Sequence, residues 1–209
     1  MITIYTYPRS GHAHRAELML SLLGLAYERR QIDLFKGEQR TPAFTALNPF
    51  AQVPVLDDGG TIVADSNAIL VYLARRYGGG AWLPHDPAGE AQVQRWLSAA
   101  AGMLAFGPAA ARANRLFGGK HNPEDAQARA ARLYQVMESE LSAREWLAGA
   151  APSLADIAMY SYTAVADEGG ISLTPYPQVR AWLTRIEALP RFHAMPRETE
   201  RGQVRQSDI

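Results

Sequence analysis

The chain has no cysteine. No disulfide framework, thiolate zinc site or thiol nucleophile can therefore come from its own residues. It also lacks a charge surplus: Lys and Arg total 21 and Asp and Glu total 21, a formal net charge of zero. A protein that holds nucleic acid by phosphate neutralisation needs a basic face, and no run of like charges supplies one. No nucleic-acid partner is expected. No apolar run reaches the length that crosses a bilayer, so no membrane partner is expected either. Residues 1–7 lack the basic stretch and apolar core of a secretory leader, which makes a cytoplasmic chain the expectation. The five histidines form no local ligand set. His12 and His14 are two apart and diverge on a helix, while His85, His121 and His193 are isolated and read as structural or surface residues. No metal is expected.

What is present suits one large domain or two small ones, since 209 residues can bury a real core either way. The first eighty residues alternate strand and helix signals. Residues 2–5 are short, apolar and β-branched, the pattern of a buried strand. Ala16, Met19, Leu20 and Leu23 recur at helical spacing, with Gly24 as a stop. Residues 27–32 read as a second strand, parallel to the first through a right-handed crossover. Two apolar runs, 53–56 and 61–63, flank Asp57-Asp58-Gly59-Gly60 and predict a hairpin. Asp65-Ser66 then opens a helix to residue 77.

Gly78-Gly79-Gly80 follows that helix rather than a strand. It reads as the start of a flexible linker, not a phosphate cradle. Everything after Asp86 is helical in pattern. One helix starts with Asp86 as cap and Pro87 at its first position and runs to residue 117, bent or interrupted near Gly107-Pro108. Others are expected at 123–147, from Ser153, at 177–188 and at 190–194. The expected organisation is an α/β domain over 1–78 (β-α-β then β-β-α), a linker over 79–85, an all-helical bundle over 86–196, and a polar, poorly ordered tail over 197–209.

Three places carry chemistry. Tyr7-Pro8-Arg9-Ser10-Gly11-His12 links the first strand to the first helix, where α/β sheets commonly place a site. Ser10 either caps that helix or donates a hydrogen bond to an anion at its N-terminus. A thiol has a pKa of ~8.5, so such a donor and the helix dipole would favour its ionised form. Pro54 sits where a sheet strand begins; either it is an ordinary trans proline, or a cis Val53-Pro54 bond frees the Val53 backbone to pair with an extended peptide. Asp65-Ser66 is either a plain N-cap or a clamp for a group bearing both an ammonium and a carboxylate, such as an amino-acid terminus.

The combination resembles the serine-type glutathione transferases. Residues 7–24 are similar to their first loop and helix. Asn48-Pro49-Phe50-Ala51-Gln52-Val53-Pro54-Val55-Leu56 resembles their N-P-x-x-x-V-P-x-L segment. Asp65-Ser66-Asn67-Ala68-Ile69-Leu70-Val71-Tyr72-Leu73 resembles their (D/E)-S-x-A-I-x-x-Y-L motif, and Ser153-Leu154-Ala155-Asp156 their S-x-A-D motif. The resemblance implies a thioredoxin-like N-terminal domain that binds glutathione and a helical C-terminal domain that shapes a second-substrate pocket. It also implies a homodimer, and Ala99-Ala100-Ala101-Gly102 would permit close helix approach.

The resemblance further implies roles residue by residue. Ser10 would stabilise the glutathione thiolate. Val53 would pair by its backbone with the cysteinyl residue, Pro54 being cis. Asp65 and Ser66 would hold the γ-glutamyl end, and Gln52, with Arg40 or Lys36, would lie near the glycyl carboxylate. Many bacterial relatives carry Asn where this chain has His12, so His12 either donates to the thiolate, with a pH signature near ~6.5, or merely starts the helix. Met103, Phe106 and Ala110 are candidates for the second-substrate pocket, though a stripe at helical spacing is commonly core. Arg112 and Arg115 read as solvated surface. Ser153 with Asp156 fits a capping box with a folding role. The implied activity is attack of the glutathione thiol on an electrophile, by conjugation or by glutathione-dependent peroxide or disulfide reduction. The alternative is a non-catalytic glutathione-binding or stress-regulatory protein of the same fold.

Overall fold

A computed structural model describes residues 1–198. The N-terminal half holds β1 (Ile2–Thr6), α1 (Gly11–Leu22), β2 (Tyr27–Gln31), the single turn α2 (Pro42–Thr45), β3 (Val55–Asp58), β4 (Thr61–Ala64) and α3 (Ser66–Tyr77). The sheet order is β2-β1-β3-β4. β1 runs parallel to β2, with Ile4 opposite Arg29, and antiparallel to β3, with Ile4 opposite Leu56. Alternation explains the layer: Ile2, Ile4 and Thr6 are buried on the α1 side, while Thr3 and Tyr5 lie half-buried on the other face, where Tyr5 packs against Phe44. The parallel pair followed by a hairpin is the expected β-α-β, β-β-α order.

The second half is helical: α4 (Pro87–Ala99), a π-helical stretch (Ala100–Ala109), α5 (Ala110–Phe117), α6 (Pro123–Leu141), α7 (Leu154–Ala164) and α8 (Pro177–Glu187). α4, the π stretch and α5 run on as one rod. Pro108 lies inside the π stretch, where the wider i→i+5 pattern accommodates a missing donor. Gly107 allows the close crossing with α6, because a Cβ there would stand 2.9 Å from the Ala130 nitrogen.

One core runs through both halves, joining Ile4, Met19 and Leu70 to Leu97, Leu154 and Ile157. Burying each such side chain contributes about 1.5–3 kcal/mol. α7 sits at its centre. Ser153 caps α7 and Asp156 completes the expected capping box. Asp156, fully buried, also accepts from the Leu147 N–H at 3.0 Å and the Trp182 indole at 2.9 Å. Burial pushes its pKa up, and these hydrogen bonds oppose the push.

Three expectations are corrected. The helix expected over 123–147 ends at Leu141, because Leu147 gives its N–H to Asp156 and its carbonyl to the Trp96 indole at 2.8 Å. A residue serving two tertiary partners cannot also serve a helix ladder. The helix expected over 190–194 is absent. Arg191 has a left-handed φ of 64°, its carbonyl accepts from the Ser21 hydroxyl, and the His193 carbonyl faces His14. His193 is consequently not isolated; its ring packs edge-on against His14 with centroids 4.9 Å apart. Of the expected tail, Arg197 pairs with Asp167 and Glu198 with Arg9, and 199–209 lie outside the described residues.

Candidate glutathione site and adjoining slot

The loop after β1 delivers Ser10 to the N-terminus of α1. Its Oγ accepts from the Ala13 N–H at 3.2 Å. A hydroxyl has one proton and two lone pairs, so the cap leaves the Ser10 proton free to donate. The cap and the donor readings are therefore compatible.

Across the cleft the Val53-Pro54 bond is cis. The Val53 main chain makes no hydrogen bond among the described residues, and strand pairing starts only at Val55. Asp65 caps α3 with one carboxylate oxygen, Oδ1, which accepts from Asn67 and Ala68 at 2.8 and 3.0 Å. Its second oxygen carries no such bond, and the side chain is exposed. The Asp65 backbone is at φ 76°, ψ 131°, a region unfavourable to any residue with a Cβ. Strain of this kind persists where surrounding structure enforces it, commonly at ligand sites.

Ser10, His12, Gln52, Val53, Pro54, Asp65 and Ser66 all line one cleft of about 620 Å³. Three separate segments thus converge on one space. Arg40 is exposed and does not line it; its neighbour Gln39 does, with a buried Oε1 that has no partner among the described residues. The two are neighbours in the turn Glu38–Arg40, and only Gln39 reaches the cleft. Lys36 is also turned away, 3.3 Å from Asp33.

Behind the cleft lies a cation that the sequence reading passed over. Arg15 on α1 is 1% exposed and donates to Ser66 Oγ at 3.2 Å and to Asn67 Oδ1 at 2.8 Å. Its Nε and Nη2 have no partner among the described residues. Burial lowers its pKa to about 10, partly offset by Tyr162 and Asp65, so it stays charged at neutral pH. A buried positive charge beneath a helix N-terminus favours an anion in the cleft. The available signal was a charged residue inside an otherwise apolar helical face.

His12 leaves part of its ring at the cleft and stacks edge-on against Tyr162, centroids 5.0 Å apart. Burial, with a smaller push from Arg15, lowers its pKa to about 3. The imidazole is neutral at physiological pH, and the titration expected near 6.5 is displaced. Either ring nitrogen can still donate as the neutral tautomer.

A second, smaller cavity of about 270 Å³ adjoins the first and shares Ser10 and Leu34 with it. Its remaining walls are Tyr7, Arg9, Phe35, Ala109, Arg112, Ala113, Phe117 and Tyr162. Met103, Phe106 and Ala110 do not line it. Ala110 is buried in the core, Met103 packs against that core, and Phe106 is 54% exposed. The π stretch has a wider turn than an α-helix, so α-helical spacing counted from Trp96 does not follow the faces of the rod through it. Arg112 is likewise not solvated surface but 2% exposed, whereas Arg115 is exposed as expected. Among the described residues there is no metal-ligand cluster, and no helix is long and apolar enough to cross a membrane.

A thioredoxin-like sheet packed on a helical bundle, with a cleft at the carboxyl end of β1, defines the class of two-domain protein. Family models of the glutathione S-transferase N-terminal and C-terminal domains match residues 9–76 and 95–190. Glutathione S-transferase 2 of Anopheles gambiae is 30% identical over 93% of this chain and 94% of its own. Disulfide-bond oxidoreductase YfcG of Escherichia coli is 31% identical over 91% and 92%. The crystal structure of a glutathione S-transferase from Pseudomonas fluorescens superposes with a TM-score of 0.87 at 38% identity, covering 93% of this chain and 98% of that one. The chain belongs to the glutathione S-transferase family.

Proposed function

We propose that the protein binds reduced glutathione in the larger cleft, ionises its thiol beside Ser10, and directs it at an electrophile in the adjoining slot. The single observation that carries this reading is that Ser10 lines both cavities. A donor at that junction, at a helix N-terminus and in front of buried Arg15, is placed to stabilise a sulfur anion between two substrates. The absence of cysteine is consistent with this, because the reactive sulfur arrives with glutathione.

The residues divide the tripeptide by chemistry. The free Val53 N–H and C=O suit an extended main chain. The uncommitted oxygen of Asp65 suits an ammonium, and the N–H groups at the start of α3 with Ser66 suit the carboxylate beside it. Gln39 and Gln52 take the glycyl end in place of Arg40 and Lys36. His12, neutral, donates to the sulfur or its surroundings without titrating. The protein acts as a cytoplasmic homodimer. Its chemistry is conjugation or glutathione-dependent reduction, a breadth that named relatives such as a transferase and a disulfide-bond oxidoreductase illustrate.

Titration calorimetry with reduced glutathione tests the first half of the reading, and turnover by Ser10→Ala tests the second. Saturable binding together with loss of turnover in the variant supports the enzyme. Saturable binding with turnover untouched on every electrophile tried assigns the chain to the non-catalytic binding alternative. No binding at millimolar glutathione contradicts both.

A further inference from the structure

The cations of the slot are already engaged. Arg112 donates from Nε to Glu168 Oε2 at 2.6 Å and from Nη1 to the Arg9 carbonyl at 2.8 Å, and its last nitrogen is sealed from solvent. Arg9 grips Glu198 with Nε and Nη2 at 2.5 and 2.8 Å, and Glu168 also accepts from the Glu198 N–H at 2.9 Å. A guanidinium does not release its proton in any case. Among the described residues no carboxylate, imidazole or ammonium lines the slot. The groups there that can give up a proton are the hydroxyls of Ser10, Tyr7 and Tyr162. Ser10 faces the sulfur. Burial raises the Tyr7 pKa against the opposing pull of Arg9, which makes Tyr7 a poorer acid than an ordinary phenol.

Tyr162 sits in the last turns of α7 between Ser161 and Thr163, which are fully buried. Ser161 Oγ lies 2.9 Å from His14 Nδ1, so α7 is tied to α1 one residue away. The Tyr162 ring covers Gly11: a Cβ there would stand 2.8 Å from Cζ, the carbon that bears the hydroxyl. Gly11 follows Ser10, so the hydroxyl end of the ring lies at the N-terminus of α1. A buried tyrosine hydroxyl ordinarily finds a partner, as Tyr160 does by donating to Glu187 at 3.0 Å. Tyr162 is 8% exposed, and its hydroxyl has no partner among the described residues. Yet it is not one of the sealed polar atoms, as the Tyr134 hydroxyl is. Tyr162 lines the slot and not the glutathione cleft.

We infer that Tyr162 is a further catalytic residue, whose hydroxyl donates to an oxygen of the electrophile that gains negative charge as the sulfur attacks. The inference rests on the glutathione reading above. The substrate class it names is a small α,β-unsaturated carbonyl compound. The thiolate bonds to the β-carbon, the C=C electron pair moves to form an enolate, and Tyr162 gives its proton to the enolate oxygen. The enol then becomes the ketone in water, and the tyrosinate recovers from water the proton that the thiol released. A donor held in place by α7 stabilises that oxygen only as its charge develops. Buried Arg15, within electrostatic reach of Tyr162, favours the same charge. The walls suit a flat body: Phe117 lies under the Arg9 guanidinium at 4.4 Å, and the volume of about 270 Å³ is below the roughly 300–1,000 Å³ of drug-sized pockets.

The test compares wild type with Tyr162→Phe in two reactions of glutathione. Addition to cyclohexenone develops an oxygen anion. Displacement of iodide from iodoethane develops none, since the iodide leaves with its electron pair and needs no proton. In the variant, kcat/KM for the enone is expected to fall by about 10²-fold, chiefly through kcat, as loss of an acid or of an oxyanion donor gives. The value for iodoethane should change little. Glutathione affinity and the pH at which the bound thiol ionises should stay as in the wild type. The variant removes one oxygen that has no partner among the described residues, so its melting temperature should also match.

An enone rate that does not fall, an equal fall on both electrophiles, or a fall that follows a shifted thiol ionisation overturns the inference. So does a loss of enone turnover in Tyr7→Phe but not in Tyr162→Phe, or a wild type that adds glutathione to cyclohexenone no faster than the uncatalysed reaction. If iodoethane is turned over while one of these results holds, only this inference falls. If glutathione does not bind and neither electrophile reacts, the glutathione reading falls with it.

Discussion

The cleft around Asp65 and the slot beneath Arg112 meet at Ser10 but are built by opposite means. The cleft is assembled from short local devices: a helix cap at Ser10, a cis proline at 54, a strained cap at Asp65. Each is set by two to four neighbouring residues. The slot is assembled from distant ones. Arg9, Arg112, Glu168 and Glu198 span most of the chain and are brought together only when α5, the segment after α7 and the C-terminal strap pack on the first loop. Local devices are conveyed by sequence order, whereas long-range networks appear only in the folded chain.

The comparison can be broken first through acid. His12 and His14 both have folded pKa values lowered to about 3 by burial, against about 6.5 unfolded. Their neutral forms are required by the fold. Below pH 6.5 the unfolded chain binds protons that the native chain refuses, so stability falls as pH falls, by ~1.4 kcal/mol per pH unit for each histidine until about pH 3. Denaturant midpoints at pH 7 and pH 5 should show this loss. A double variant His12→Asn, His14→Gln with the same pH slope would contradict it. Both regions should fail together, since α1 carries both histidines.

Ser10→Ala is the next largest effect. Removing one donor to a developing or stable anion should lower kcat/KM by about 10²–10³ while glutathione affinity changes far less. If affinity and rate fell equally, Ser10 would belong to binding and not to activation.

Gly11→Ala sharpens the junction between the regions. A Cβ there would lie 2.8 Å from the Tyr162 ring, which lines the slot. Overpacking of this kind costs about 1–3 kcal/mol. Electrophile KM should respond more than glutathione affinity, because Tyr162 forms part of the slot wall while it touches the cleft only through His12. The reverse order would place Tyr162 in the wrong region.

His12→Asn alone should have the smallest effect. With its imidazole already neutral, the pH–rate profile between pH 5 and 8 should keep its shape. A lost inflection near 6.5 would show a titrating His12 and a more open site than the geometry gives.

The strands, the capping box at Ser153–Asp156 and the convergence of Ser10, Val53, Asp65 and Ser66 were legible because each rests on spacing or turn chemistry within a few residues. Arg15 was not, because its value lies in what α3 places above it, Ser66 and Asn67. Gln39 and Arg40 were exchanged because a single short turn decides which of two neighbours faces inward. Met103, Phe106 and Ala110 line neither cavity; periodicity assumes one helix type, and ten residues of π-helix shift the phase. Residues 142–147 were read as helix because local propensity gives no hint that Asp156 and Trp96 claim Leu147.

The most direct measurement is the ultraviolet absorbance of the thiolate in the glutathione complex as a function of pH, for wild type and Ser10→Ala. A bound thiol that ionises well below its free value of ~8.5, with that shift largely lost in the variant, is the predicted result. A bound thiol that ionises at its free value in the wild type, or identically in both proteins, would contradict the claim that Ser10 and the α1 N-terminus activate the sulfur.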